Sequence, residues 1–135
     1  MTTKFEKYLQ EVASRTWNEG GSASNPFLMQ FLPVSDVWCF PKYPSRTIIL
    51  PATVDLAASL SEFVDQNKDV LCEEDCWLGT WQNPQTGEYY LDVATGIGDF
   101  SMACEIAQRL SLMGGRQIVA MYNPLRKETY YLREE

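Results

Sequence analysis

The chain predicts an α+β fold, a mainly antiparallel sheet of about four to five strands with about three helices packed on it. Three features carry that expectation. Three segments place apolar residues at helical spacing. Two pairs of aromatic-rich runs flank short connections of turn-forming residues. The C-terminal half runs hairpin, helix, hairpin, an order that leaves a sheet with helices on one face.

The first helix is read from Phe5, Tyr8, Leu9, Val12 and Ala13, which recur at i, i+3, i+4. Thr3 and Glu6 form a capping-box pattern at its start, and Gly20-Gly21 ends it. Residues 20–45 are rich in Gly, Ser and Pro, with Pro33, Pro41 and Pro44 interrupting any long element. Phe27, Leu28, Phe31, Trp38, Phe40 and Tyr43 are too apolar for a free linker. This stretch reads as an ordered loop packed on the body, with a short strand at Val37–Phe40. Arg46–Leu50 reads as a strand stopped by Pro51. Thr53 is the expected N-cap of a second helix, whose apolar face is Leu56, Ala57, Leu60, Phe63 and Val64, and which ends at Asn67 or Asp69.

Two runs around Trp77–Trp81 and Tyr89–Val93 flank Asn83–Gly87 and predict a hairpin. On it, Trp77, Gly79 and Trp81 point one way, with Leu78 and Thr80 opposite. Tyr89, Leu91 and Val93 share a face, with Tyr90 and Asp92 opposite. A third helix is expected over Asp99–Met113, capped by Asp99 and closed by Gly114-Gly115. Ala103, Ile106, Ala107, Leu110 and Met113 form its apolar face. A second hairpin follows around Asn123–Lys127, with Tyr130 and Tyr131 pointing to opposite faces.

At 135 residues the chain reads as a single domain over 1–135, with the N-terminal helix in 1–19, the proline-aromatic loop in 20–45 and the α+β body in 46–135. No apolar run spans a bilayer and no secretory signal is visible, so a cytoplasmic protein is the expectation. The 18 acidic residues outnumber 11 basic ones, for a net charge of −7. An acidic surface repels phosphate backbones and disfavours direct nucleic-acid binding.

Histidine is absent, which removes the commonest general base and metal ligand. The four cysteines, Cys39, Cys72, Cys76 and Cys104, are expected as free thiols. Cys72 and Cys76 are the candidate metal ligands, but zinc needs two more, and no metal is expected. Cys76 beside Glu74 and Asp75 has its thiol pKa raised, which opposes a thiolate nucleophile. No catalytic residue is assigned, and a non-enzymatic protein is favoured.

The stretch Leu91-Asp92-Val93-Ala94-Thr95-Gly96-Ile97-Gly98-Asp99 resembles the first motif of S-adenosylmethionine-dependent methyltransferases. The resemblance implies a glycine-rich turn approaching a cofactor, with Asp92, Gly96, Gly98 and Asp99 as candidate cofactor-binding residues. Two features oppose it. The next strand ends in Tyr122-Asn123, where the family carries a carboxylate for the cofactor ribose. The preceding strand pairs through a short turn, which makes a hairpin and not a parallel crossover. Gly96 and Gly98 are then read as permitting positive φ in a strand-to-helix turn, and no cofactor is expected. Across Gly79–Leu132, Gly79, Trp81, Gly87, Tyr90-Leu91-Asp92-Val93, Ala103, Ala107 and Gln117-Ile118-Val119-Ala120 resemble a pattern in small, largely uncharacterised proteins of bacteria and their phages. That resemblance supports the fold and carries no catalytic residues.

The function expected from these readings is a protein-binding or regulatory module, with a protein partner or a second copy of the chain docking on the sheet through Trp77, Trp81, Tyr89, Tyr90, Tyr130 and Tyr131. The alternative is a protein that binds S-adenosylmethionine or another small molecule through the Gly96-Ile97-Gly98 turn, or in a pocket between the proline-aromatic loop and the sheet.

Overall fold

A computed structural model of the chain describes residues 1–113 and 116–132. Helix α1 (Lys4–Glu19) begins at the predicted capping box. Thr3 Oγ1 accepts from the Glu6 backbone N–H, and Glu6 Oε1 accepts from that of Thr3. It stops at Gly20, whose φ of 89° lies in the left-handed region that glycine enters without strain. Its buried face carries Tyr8, Leu9, Val12, Ala13 and Thr16.

Strands β1 (Gly21–Asn25), β2 (Gln30–Phe31) and β3 (Trp38–Pro41) follow, then a 3-10 turn at Pro44–Arg46 and β4 (Ile48–Leu50). Helix α2 (Leu56–Gln66) and the single turn α3 (Lys68–Leu71) precede β5 (Trp77–Gln82) and β6 (Tyr89–Ile97). Helix α4 (Phe100–Met113), β7 (Ala120–Asn123) and β8 (Glu128–Tyr131) complete the chain. Gly114-Gly115, the expected stop of α4, lies outside the described residues.

The fold is α+β with an antiparallel sheet, as expected, but the sheet is larger. Among the described residues eight strands form it, seven in the order β2-β1-β5-β6-β3-β7-β8 and β4 paired to β6. Four helices among the described residues, one of a single turn, accompany them. Residues 20–45 account for most of the excess. Gly21-Ser22-Ala23-Ser24-Asn25 has no apolar alternation, yet it is a strand because it pairs along β5, with Gly21 opposite Trp81 and Ser24 opposite Leu78. Pairing supplied by a neighbour outweighs local propensity.

Two local expectations are corrected. The N-cap of α2 is Asp55, whose Oδ1 accepts from the Ala58 backbone N–H. Thr53 is held in a turn closed by Val54 N–H on the Pro51 carbonyl, so the helix starts two residues later. Gly96 and Gly98 do not form a positive-φ turn. Among the described glycines only Gly20 and Gly87 have positive φ. Strand β6 runs on through Gly96 to Ile97, antiparallel to β3. Asp99 caps α4 as expected, Oδ1 accepting from Met102 N–H at 2.8 Å.

All three long helices cover one face. Helices α1 and α2 pack on Leu78, Leu91, Val93 and Tyr89, and Ala103 and Ala107 of α4 pack on Trp38, Phe40 and Met121. Alternation along paired strands puts these side chains on the same side. Buried hydroxyls tie α1 to the sheet: Tyr8 to Ser24 at 2.6 Å and Thr16 to Thr80 at 2.6 Å. No helix among the described residues is long and apolar enough to cross a membrane.

Strand β6 is the spine. It pairs with β5 along one edge, and along the other with β4 at Tyr89–Leu91 and then β3 at Ala94–Ile97. The sheet curls about its helix-free face. Trp81 of β5 and Tyr131 of β8 stand four strand positions apart in the sheet order, yet their ring centroids are 6.4 Å apart.

Candidate functional site: a hollow inside the curled sheet

The concave face, with the end of α1, lines a partly open hollow of about 1070 Å³, just above the usual range for a small-molecule site (about 300–1,000 Å³). Its shape follows from which residues lack side chains. Ala23, Gly79 and Asp92 stand in one row across β1, β5 and β6. A residue without a side chain in the middle of a strand leaves a depression in the sheet face. Gly79 is required for packing as well: a Cβ there would lie 2.8 Å from the Ala94 Cβ. The neighbouring row, Gly21, Trp81, Tyr90 and Ile49, raises a wall on one side. Trp77 raises the other, its indole edge 3.1 Å from where a Gly96 Cβ would stand. Gly96 is therefore a seat for an indole in a strand.

The carboxylate of Asp92 sits in this hollow. Protein surrounds it, but part of its surface opens on the cavity. Its one hydrogen bond among the described residues is from Thr47 Oγ1, at 2.8 Å. Burial pushes its pKa up to about 6, against the smaller opposing effects of that bond and of the Arg116 charge. Arg116 lines the cavity and is exposed, and it makes no ion pair with Asp92 among the described residues. Cys39 also lines the cavity, and burial pushes its thiol up to about 12, so it stays protonated at neutral pH. Trp77 Nε1 is buried and has no hydrogen-bond partner among the described residues.

Of the residues singled out in the sequence, Trp77, Trp81, Tyr90, Asp92 and Gly96 meet in this cavity, and Tyr131 joins through its contact with Trp81. Tyr89 is elsewhere. It is 5% exposed and belongs to the core under α1 and α2, so no partner reaches it in this fold. Tyr130 lies on the helix-covered side, 44% exposed, with its ring 4.9 Å from Phe100 of α4. Gly98 and Asp99 are exposed at the entry to α4, away from the hollow. Thr47, Ala23 and Gly79 were not legible as site residues. Gly79 was visible as a strand glycine, but its effect depends on a register that joins it to Ala23 and Asp92.

Cys72 and Cys76 are not brought together as ligands. Cys72 is exposed, its thiol donating to the Asp69 carbonyl at 3.3 Å. Cys76 is buried beside Glu73 and Asp75, the three donor atoms lying within 4.8 Å of one another. That cluster is already occupied by a side chain. Lys42 Nζ donates to Glu73 Oε1 at 3.0 Å and Asp75 Oδ1 at 2.9 Å, and Tyr43 donates to Glu73 Oε1 at 2.7 Å. The Tyr43 and Lys42 hydrogen bonds hold Glu73 below its ordinary value, and Lys42 does the same for Asp75. Burial, the largest effect, and the adjacent carboxylates push the Cys76 thiol up to about 12. The cluster is an ion-pair network that pins the segment after β3 to the one before β5.

No family model, curated protein or solved structure matches the chain.

Proposed function

We propose that this protein is a non-catalytic binding protein whose small-molecule ligand enters the hollow of the curled sheet. One observation carries the reading: the Asp92 carboxylate stands in an aromatic-walled cavity with a single hydrogen bond among the described residues, from Thr47. A buried charge with so few partners works against folding. A strongly perturbed carboxyl in a cleft is the kind of group that functional sites retain. A concave, mostly apolar pocket with a few polar groups is the usual form of a small-molecule site. The high thiol pKa of Cys39 supports binding over nucleophilic chemistry. The candidate contacts are Trp77, Trp81, Tyr90 and Asp92, with the Gly96 segment of the glycine motif forming part of the wall.

The test is a thermal-shift and tryptophan-fluorescence screen of wild type and Ala23→Phe, a substitution that fills the hollow from β1. A ligand at about 100 times its dissociation constant stabilises the fold by about 2.7 kcal/mol. Shifts seen in wild type and lost in a folded Ala23→Phe variant support the reading. Shifts of equal size in both place the ligand elsewhere and overturn it.

A protein partner, including a second copy of the chain, is the second reading. It is favoured by exposed apolar side chains on α4, Met102 at 52% and Met113 at 72%, and by the exposed Phe100–Tyr130 ring pair at the start of that helix. Sedimentation equilibrium of wild type and Met102→Glu tests it. A monomer at all concentrations removes the self-association form of this reading.

A further inference from the structure

We propose that the ligand of the hollow is a small organic cation, an ammonium or guanidinium compound whose charged head rests against Asp92 between aromatic rings. This rests on the reading of the hollow as a binding site. Asp92 lies directly opposite Gly79, so Trp81, two residues from Gly79 and on the same face, is its diagonal neighbour across the ladder, while Trp77, the other diagonal neighbour, leans its indole away over Gly96. Diagonal neighbours on one sheet face stand about 7–8 Å apart, within reach of large aromatic side chains. Tyr90 is two residues from Asp92 on that face and packs on Trp81, with ring centroids 5.1 Å apart. Tyr131 closes on Trp81 from the far side. The missing side chain at Gly79 leaves the space between these rings open above the carboxylate. Aromatic faces attract cations, most strongly where water is excluded, and a buried carboxylate lacks only a positive partner.

The charges of the described residues leave that place unfilled. Arg15 and Glu19 of α1, Arg116 before β7 and Lys127 in the β7–β8 turn all line the cavity. None of the three cations forms an ion pair with Asp92 among the described residues: Arg15 pairs with Glu11, and Arg116 acts on Asp92 only at a distance. The remaining titratable groups on this face among the described residues are Cys39, Tyr90, Tyr122 and Tyr131. Burial and then the nearby Glu19 charge push Tyr122 upward, so it stays neutral. A neutral ligand would leave the carboxylate unpaired, and an anion would be repelled by it.

The experiment measures binding of choline and agmatine, and of 3,3-dimethylbutan-1-ol as the neutral isostere of choline, by tryptophan fluorescence and calorimetry. The expected result is that at least one cation binds at least 10-fold more tightly than the alcohol. Its affinity should weaken about 10-fold from pH 7.5 to pH 5, as Asp92 takes up its proton. In Asp92→Asn the affinity should fall at least 10-fold and lose this pH dependence. If that variant does not fold, the isostere comparison and the wild-type pH series decide. Equal binding of cation and alcohol, or an affinity independent of pH, overturns the cation and leaves the hollow as a binding site. Binding of a short peptide carrying trimethyl-lysine, with no response to choline or agmatine, overturns the small-molecule form and assigns the cation to a protein. Silence toward all of these and toward the apolar probe anilinonaphthalene sulfonate overturns the hollow itself.

Discussion

Asp92 and Gly79 face each other across the β5–β6 ladder, and the missing side chain of one exposes the charge of the other to a cavity. The carboxylate is therefore both enclosed by protein and reachable from the concave face.

Asp92 sets a pH dependence of known sign. Its pKa is raised from 3.8 to about 6 on folding, so the folded state binds this proton more tightly than the unfolded one. Its contribution to stability is most favourable below about pH 4, declines as pH rises through about 6, and is a constant penalty above. A shift of this size corresponds to roughly 3 kcal/mol, and the partial exposure of Asp92 on the hollow reduces it to about 2 kcal/mol. Asp92→Asn should therefore be more stable than wild type by about 2 kcal/mol at pH 7.5, with the difference gone at pH 4. Urea denaturation at the two pH values measures it. A variant less stable than wild type at pH 7.5 contradicts the prediction.

Gly79→Ala tests the floor of the hollow. The added methyl would stand 2.8 Å from the Ala94 Cβ, too close for either strand to keep its place. A loss of about 1–3 kcal/mol is expected. Gly79→Ala combined with Ala94→Gly should recover part of it, because the colliding atom is gone. Additive losses in the double variant would mean that the two positions do not touch.

The bond between Tyr8 and Ser24 should show the asymmetry of buried hydrogen bonds. Tyr8→Phe leaves the fully buried Ser24 hydroxyl without its partner, at a cost of about 1–3 kcal/mol. Tyr8→Phe with Ser24→Ala removes both groups and should cost less than Tyr8→Phe alone. Chemical denaturation of the three variants provides the comparison. Burial, only partly offset by this bond, pushes the Tyr8 hydroxyl up to about 12, so its absorbance should remain that of a neutral phenol at pH 10.5.

The contact between Trp81 and Tyr131 holds the curl. Tyr131→Ala should lower stability by about 1 kcal/mol through the lost ring contact. It should also raise acrylamide quenching of tryptophan fluorescence as the hollow opens. Unchanged quenching would show that the curl is set by the strands alone.

Much of the architecture was legible because it rests on local chemistry. The start of α1 follows from Thr3 and Glu6, its stop from Gly20, and the start of α4 from Asp99. The hairpin of β5 and β6 follows from the Asn83–Gly87 turn, where Gly87 takes a φ of 79°. The facing of Trp77, Trp81, Tyr90 and Asp92 follows from the two-residue period of strands. The N-cap at Asp55 was missed because two capping residues lie close together and only the Pro51–Val54 turn selects between them.

What the sequence by itself determined is a set of elements and the side of each element that is apolar, because caps, turns and periodicity act between residues near in the chain. Only the tertiary structure decided that Gly21–Asn25 is a strand, that Gly96 lies within a strand as a seat for Trp77 and not in a positive-φ turn, and that Tyr89 is core while Tyr131 reaches Trp81. Those outcomes depend on register between distant strands and on the curl of the sheet. Backbone hydrogen bonding and side-chain exclusion across that curl set both, and neither is written in any one segment.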